Sequence, residues 1–222
     1  MQRVDVEPEV PAVDPSERAR RRRRRQGRAI WIAGLVLILA ALGVGGYLAW
    51  LLWGTGLSTQ AAQRDLRPDF AAKVASKTVE EAPEPERVVK VPGGAVAILR
   101  IPAIDLDYVV VEGTDTESLK KGPGHYSDTA YPWEGSGRVG IAGHRTTYGA
   151  PFWSLDELEE GDRIVLATEY GIFDYRVTGS RIISPSDGSV LSQTRRPTLV
   201  LTTCNPRFSA AQRLVVFAAR VD

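Results

Sequence analysis

The sequence predicts a mainly β domain, a small barrel or sandwich, carried behind a single N-terminal membrane-spanning helix. Residues 29–53 run 25 positions without a charged side chain, which marks the span. Beyond Val91, short β-branched runs recur every 8–12 residues or so, broken by Gly, Pro, Asp and Ser, which marks the β domain. Of the 222 residues, those before 93 form segments that build no globular core, leaving about 130 for one folded domain.

Composition narrows the function classes. With 43% hydrophobic and 25% charged residues and a formal charge of +1, the chain is neither wholly disordered nor a many-span membrane protein. One cysteine excludes an intramolecular disulfide framework and a thiolate-rich zinc site, and two histidines leave little for a histidine-based metal cluster. Any metal role rests on carboxylates.

Residues 1–28 read as a cytoplasmic Arg-rich tail holding nine arginines against five acids, whereas the rest holds 19 basic and 22 acidic groups. Residues 29–53 read as the transmembrane anchor, since 25 helical residues at about 1.5 Å each exceed a hydrocarbon thickness of about 30 Å. Trp31 lies at one end and Trp50 and Trp53 at the other, at headgroup level. Arg18, Arg20 to Arg25 and Arg28 precede the span and no charge follows until Arg64, so the N-terminus is expected in the cytoplasm and the remainder outside the cell. A cleaved secretory signal is disfavoured, because its apolar region is shorter and no small-residue cleavage site follows here. The poly-Arg run fits topology signalling and anionic-lipid contact better than a nucleic-acid patch, so no nucleic acid is expected as a partner.

Residues 54–92 read as an extracellular linker. From Leu57 to Pro92 they carry 12 charges, four prolines and no sustained apolar alternation. "AAQRDLRPDFAAKVASKTVEEA" is expected to form transient helix and "APEPER" to be extended. Residues 93–222 form the β domain, with strands expected at 95–102, 106–113, 137–144, 162–171, 172–184, 198–204 and 213–222. Gly171 suits a hairpin, and "TESLKKGPGHY" and "APFWSLDELEEGD" are the two candidate short helices.

Cys204 is the sharpest chemical feature, a lone thiol in a segment placed outside the cell. Three readings stay open for it: a nucleophile, a small buried hydrophobe, and a partner in an intermolecular disulfide. It ends an apolar strand before Asn205 and Pro206, which favours the rim of a sheet. A thiol near its ordinary pKa of about 8.5 needs a neighbouring base or positive charge to attack an amide. His144, after "VGIAG", and His125, within "KGPGHYSDTAYPW", are the two candidates that titrate near neutrality. Arg213 opens the next strand, "RLVVFAARVD", nine residues after Cys204, and an antiparallel return brings it to the same end of the sheet. A guanidinium there is suited to an oxyanion or a substrate carbonyl; a surface arginine is the plainer reading.

Together "VLTTCNPRFSAAQRLVV" and "GRVGIAGHRTTYGAPFWSLDELEEGDRI" resemble the sortases, membrane-anchored cysteine transpeptidases of Gram-positive bacteria, and most closely the class E enzymes of actinobacteria. The resemblance covers residues 95–222. It implies a closed β-barrel of about eight strands with short helices, and on matching positions it makes Cys204 the nucleophile, His144 the acid/base and Arg213 the oxyanion or substrate stabiliser. It further implies substrate-binding roles for Thr203, Thr202, His125 and Tyr148, with Phe152 and Trp153 as additional pocket candidates. Val200 stands where the family's TLxTC motif begins with threonine.

The implied reaction is cleavage of a C-terminal LAxTG or LPxTG-type sorting signal between Thr and Gly through a thioacyl enzyme. Transfer to the amine of a lipid-linked peptidoglycan precursor follows, with sorting-signal-bearing secreted proteins as substrates. A pilus-building enzyme with a pilin lysine as acceptor and a non-catalytic, membrane-tethered binding domain are the alternatives. An L,D-transpeptidase is disfavoured because no His-Gly pairing flanks the cysteine. No cofactor is expected, and Asp156, Glu157, Glu159 and Glu160 read as a solvated face more readily than as a calcium site.

Overall fold

A computed structural model describes residues 15–76, 84 and 88–221. The first 14 residues of the Arg-rich tail, and all of "APEPER" except Glu84, lie outside the described residues. The chain divides into two compact units, one ending at Leu48 and the other beginning at Ala49. In the first, helix α1 (Pro15–Ala49) carries the uncharged run with its apolar side chains exposed from Ile30 to Leu48. Among the described residues, the helical stretch from Arg22 holds the one apolar window long enough to cross a membrane, and none of that window is buried in protein.

The second unit is a closed barrel of eight strands: β1 (Ala95–Ile101), β2 (Leu106–Glu112), β3 (Gly124–His125), β4 (Arg138–Ala142), β5 (Arg163–Thr168), β6 (Gly171–Ile183), β7 (Thr198–Asn205) and β8 (Gln212–Val221). Their order around the barrel is β1-β2-β3-β4-β7-β8-β6-β5. The β2/β3 and β4/β7 pairs are parallel and the others antiparallel. Period-two alternation assigns the faces. Leu99, Val110, Ile141, Leu166, Leu199, Leu201 and Val216 fill the interior, and Val200 and Val215 look outward. The two short helices appear as α3 (Thr116–Lys121), capped by the Asp115 carboxylate, and a single 3-10 turn at Leu155–Glu157.

Strand β6 shows why alternation alone mis-sides part of the sheet. Val177 pairs with Ala218 and Gly179 with Phe217, so Thr178 is an extra residue in a bulge, and Gly179 has φ 144°. Before the bulge the odd-numbered Phe173, Tyr175 and Val177 face the core. After it, Ile183 lies on the outer face, opposite Arg213 in register. The bulge thus puts Ile183 on the face that carries Arg213.

The stretch expected to be a linker contains helix α2 (Thr55–Ser76), packed on the outside of the barrel. Leu66, Phe70, Ala71 and Val74 form one stripe at helical spacing, and Phe70, 5% exposed, meets Ile98, Val109 and Ala167 of β1, β2 and β5. Four apolar positions among many charges leave too narrow a stripe to stand out in the sequence. Polar contacts fix its register: the Gln63 amide donates to the Val109 and Lys121 carbonyls and accepts from the Val109 N–H, and the Arg67 guanidinium grips both Asp107 carboxylate oxygens. Phe70→Ala is expected to destabilise the second unit by about 3 kcal/mol and lower its melting point by roughly 6–12 °C. Thermal melts of the full chain in detergent, read by near-UV circular dichroism, check this; an unmoved midpoint would mean that α2 contributes nothing to the fold.

Candidate active site

Cys204 sits at the end of β7, half-buried, directly opposite Arg213 of β8 in the antiparallel register. Both side chains lie on the outer face, on the same alternation as Val200, Thr202 and Val215. On the other side of β7 runs β4, parallel, with Ala142 beside Thr202. His144 and Cys204 lie two residues beyond that last pair, so adjacent parallel strands about 4.8 Å apart deliver both to one end of the barrel. The Gly143 N–H donates to the Thr202 carbonyl at 3.1 Å, which extends the pairing to the residue before His144.

His144 is held by a tight loop. The Phe152 N–H donates to the His144 carbonyl at 3.1 Å, and Tyr148, Gly149 and Ala150 take φ values of 52°, 72° and 44° in succession. Two non-glycine residues in the left-handed region are strain that the surroundings must hold. Thr55 of α2 supplies part of that hold, accepting the Tyr148 N–H at 3.0 Å, and the Tyr148 ring lies 4.9 Å from the His144 ring. Burial pushes the His144 imidazole below its ordinary pKa. Nδ1 lies 3.5 Å from the Thr147 hydroxyl, whereas Nε2 is buried without a hydrogen-bond partner among the described residues. An unpartnered ring nitrogen at a rim beside a thiol is placed to exchange protons with a ligand.

Arg145, which sequence reasoning missed, ties the two candidate segments together. It is 4% exposed and donates to the Cys204 carbonyl at 3.3 Å and to Asn205 Oδ1 at 2.7 Å, while its other terminal nitrogen pairs with Asp156 at 2.9 Å. Asp156 is shared with Arg207, whose guanidinium also stacks 4.7 Å from the Trp153 ring and pairs with Glu157. Two of the four acids weighed as calcium ligands are therefore engaged by arginines. The Asn205–Pro206 peptide is cis. Arg213 donates from Nη1 to the Ala210 and Gln212 carbonyls at 2.9 and 3.0 Å, parking its guanidinium over the β7–β8 connection.

A family model described as the sortase domain matches residues 99–221 of this chain. The chain belongs to the sortase family. Among curated proteins it is 34% identical over 197 residues to Sortase D of Bacillus subtilis, covering 84% of this chain and 96% of that one. It is 30% identical over 237 residues to Sortase SrtE1 of Streptomyces coelicolor, covering 97% of this chain and spanning 64% of the relative's length. Among solved structures, Sortase E1 of Streptomyces coelicolor with a tripeptide in its active site is 34% identical with a TM-score of 0.56, over 60% of this chain and 92% of that one. A Clostridium perfringens Sortase D5 transpeptidase is 28% identical with a TM-score of 0.62, over 73% and 99%. The class E resemblance thus holds, in company with class D relatives.

For a sortase, the candidate residues fall into two groups. Cys204, His144 and Arg213 gather at one end of the barrel, with Tyr148 against His144 and Thr202 on the outer face, its hydroxyl 2.9 Å from that of Tyr126. Tyr126 had no sequence signal beyond its place after His125. Thr203, expected to bind substrate, points inward instead: it is buried and donates to the Gly143 carbonyl at 2.8 Å, latching β7 to β4. His125, also expected in the substrate pocket, is 1% exposed in β3, between Glu112 at 3.2 Å and the Ala130 carbonyl at 3.0 Å. Phe152 is fully buried core, in contact with the backbone at Gly143, and Trp153 is the exposed aromatic of that loop. Val200 is buried between Val190 and Val215 under the β6–β7 connection, an apolar setting that suits valine where the family motif has threonine.

Proposed function

We propose that this sortase cleaves a C-terminal LAxTG or LPxTG-type sorting signal between Thr and Gly and transfers the surface protein to a peptidoglycan amine. The observation that carries the reading is the register pair of Cys204 and Arg213 beside His144, whose buried Nε2 has no partner among the described residues. Cys204 Sγ attacks the threonine carbonyl carbon, its proton passing to His144. Arg213 turns from its backbone carbonyls toward the developing oxyanion, which a permanently charged guanidinium stabilises. As the C–N bond breaks, His144 returns the proton to the glycine amine, leaving a thioacyl enzyme. An incoming amine then attacks the same carbon, its proton goes to His144, and the C–S bond breaks to release Cys204.

In this reading Tyr148, Thr202 and Tyr126 line the path of the sorting signal, and the solved Streptomyces relative with a tripeptide in its active site supports a peptide there. α1 anchors the enzyme with its N-terminus in the cytoplasm and the barrel outside the cell, where both substrate and lipid-linked acceptor are confined to the same plane. The reaction draws its groups from this chain, and Asp156, held by two arginines, is a poor calcium ligand.

Full-length protein in lipid nanodiscs, incubated with LAxTG and LPxTG peptides and a glycine-based amine, tests this by mass. Cleavage between Thr and Gly with amine-dependent ligation, unaffected by chelator, is expected. A folded protein whose Cys204 reacts with a thiol reagent but which cleaves neither peptide would sink the reading.

The pH profile adds a second expectation. Burial disfavours the imidazolium, so His144 loses its proton below its ordinary value of about 6.5, and the acid limb of kcat/KM is expected below that pH. Tyr148→Ala uncovers the ring, relieves that penalty and moves the limb upward toward 6.5. A limb that stays fixed or moves down in this variant would show that another group sets it.

A further inference from the structure

The uncharged run 29–53 extends into the second unit, which begins at Ala49, so its last five residues belong to the body that carries the candidate site. Two residues later the chain is locked to the loop after His144. Thr55 Oγ1 donates to the Leu51 carbonyl at 2.8 Å and accepts the Tyr148 N–H at 3.0 Å. A Cβ on Gly56 would stand 3.6 Å from the Gly149 nitrogen, and the buried Thr59 packs against Gly149 from the next turn. Gly56 is three residues past Trp53, at most about 4.5 Å of helix, whereas the polar layer outside the hydrocarbon is about 5–7.5 Å deep on each side. With residues 29–53 as the span, the start of α2 and the loop it holds stand at headgroup level.

That loop ends in an exposed aromatic pair. The Trp153 N–H donates to the Ala150 carbonyl at 3.0 Å, which keeps the Trp153 backbone nitrogen within about 15 Å of Gly56. The Trp153 ring meets the Phe208 ring edge-on at 5.9 Å. Beyond the span these are the two exposed aromatic side chains among the described residues, Trp153 at 40% and Phe208 at 68%. Phe208 also takes φ 65°, a left-handed conformation that is costly for a bulky side chain. Strain and exposure together point to a partner outside the chain.

We propose that Trp153 and Phe208 dock the Cys204 end of the barrel onto the outer face of the bilayer, with their rings at the boundary between headgroups and acyl chains. The proposal rests on the reading of residues 29–53 as a membrane span. Aromatic rings are favoured at that depth. The charge beside them is already balanced: the Arg207 guanidinium lies 4.7 Å from the Trp153 ring and pairs with Asp156 and Glu157, and Asp156 pairs also with Arg145. Docking therefore needs no anionic lipid. The start of α2 fixes one end of the His144 loop, at Tyr148 and Gly149, and the aromatic pair fixes the other, so the domain is held at two points and loses the freedom to swing. Phe208 follows Cys204 by four residues, and the Arg207 guanidinium donates to the Trp153 carbonyl at 3.2 and 3.1 Å, so the contact sets the height of the thiol above the bilayer.

The test uses the full chain with 15N-labelled tryptophan in phosphatidylcholine nanodiscs, with and without a phosphatidylcholine that carries a nitroxide on its headgroup. The indole N–H peaks of Trp50, Trp133 and Trp153 are identified by their absence in Trp50→Phe, Trp133→Phe and Trp153→Phe. Trp133 is the reference: its ring meets Tyr170 in the β5–β6 turn, at the opposite end of β6 from Ile183, the partner of Arg213, and roughly 40 Å of strand away from it. The nitroxide is expected to erase the Trp50 and Trp153 peaks and to leave Trp133 at full height. Phe208→Asn, which places a residue tolerant of positive φ at that position, is expected to lower the ratio of docked to free domain about tenfold and so return the Trp153 peak. A Trp153 peak that keeps its height while Trp50 is erased would overturn the docking and leave the span in place. Should Trp50 also keep its height, the span falls and the proposal with it. A Trp153 peak erased equally in Phe208→Asn would overturn the proposal as well, since α2 alone would then hold the loop at the bilayer. A Trp153 peak untouched by the nitroxide but shifted by a sorting peptide would assign the pair to the substrate instead. None of these readouts depends on transpeptidase activity.

Discussion

Cys204→Ala is expected to lower ligation to below about one ten-thousandth of the parent rate while leaving the melting point unchanged. The rate follows from chemistry, because every bond made to the sorting signal in the proposed cycle passes through Sγ, and neither His144 nor Arg213 can form the acyl intermediate. The unchanged stability follows from structure. Cys204 is half-buried at the rim and outside the apolar clusters, and what Arg145 holds is its backbone carbonyl, which alanine retains. Intact mass after mixing with peptide checks both halves: the parent gains the mass of the acyl fragment and the variant does not. Residual ligation above that level would mean that another nucleophile carries the acyl group, and unimpaired peptide binding with no acyl adduct in either protein would describe a binding module.

Arg145→Met is expected to cost about 3 kcal/mol of stability and, in protein that remains folded, to reduce kcat more than it raises KM. Methionine preserves the unbranched stem but removes the donors that hold the Cys204 carbonyl and Asn205 Oδ1 and leaves Asp156 to Arg207 alone. Arg145 does not touch the reacting atoms; it sets where the end of β7 lies relative to the loop of His144. Loosening that link spreads the thiol over positions of which few are productive. Arg145→Lys restores the charge but cannot span both directions at once, so it is expected to recover stability more than rate. A melting fall of roughly 6–12 °C with kcat untouched would make Arg145 a purely structural residue.

The strands that carry the candidate site were legible because their chemistry and their alternation coincide. In β7, Leu199 and Leu201 go in while Val200, Thr202 and Cys204 go out, and in β8 Arg213 follows from the same count, so the thiol and guanidinium fall opposite each other. Strand β3 was not legible, since two residues have no period, and its extended form is imposed by β2 and β4 on either side. The bulge at Thr178–Gly179 was hidden inside a β-branched run that reads as one uninterrupted strand. His125 shows the limit for single residues. A histidine between glycine and tyrosine reads the same whether it faces a substrate or a carboxylate 13 residues earlier, and only the fold brings Glu112 to it. Arg145 was invisible for a related reason, because nothing local marks a buried arginine whose partners lie 11 and 60 residues away.

The hold of Gln63 on Val109 has a consequence for handling the molecule. β2 pairs with β3 only at Val111 and Glu112, so the N–H and carbonyl of Val109 would form an open strand edge if the Gln63 amide did not complete them as a neighbouring strand does. A soluble version begun after Ser76 would bare that edge together with the apolar surface under Phe70, a template on which a second copy can add its own strand. The boundary that keeps this edge covered therefore lies before Thr55, and self-association that arises only in the shortened protein reports the missing helix.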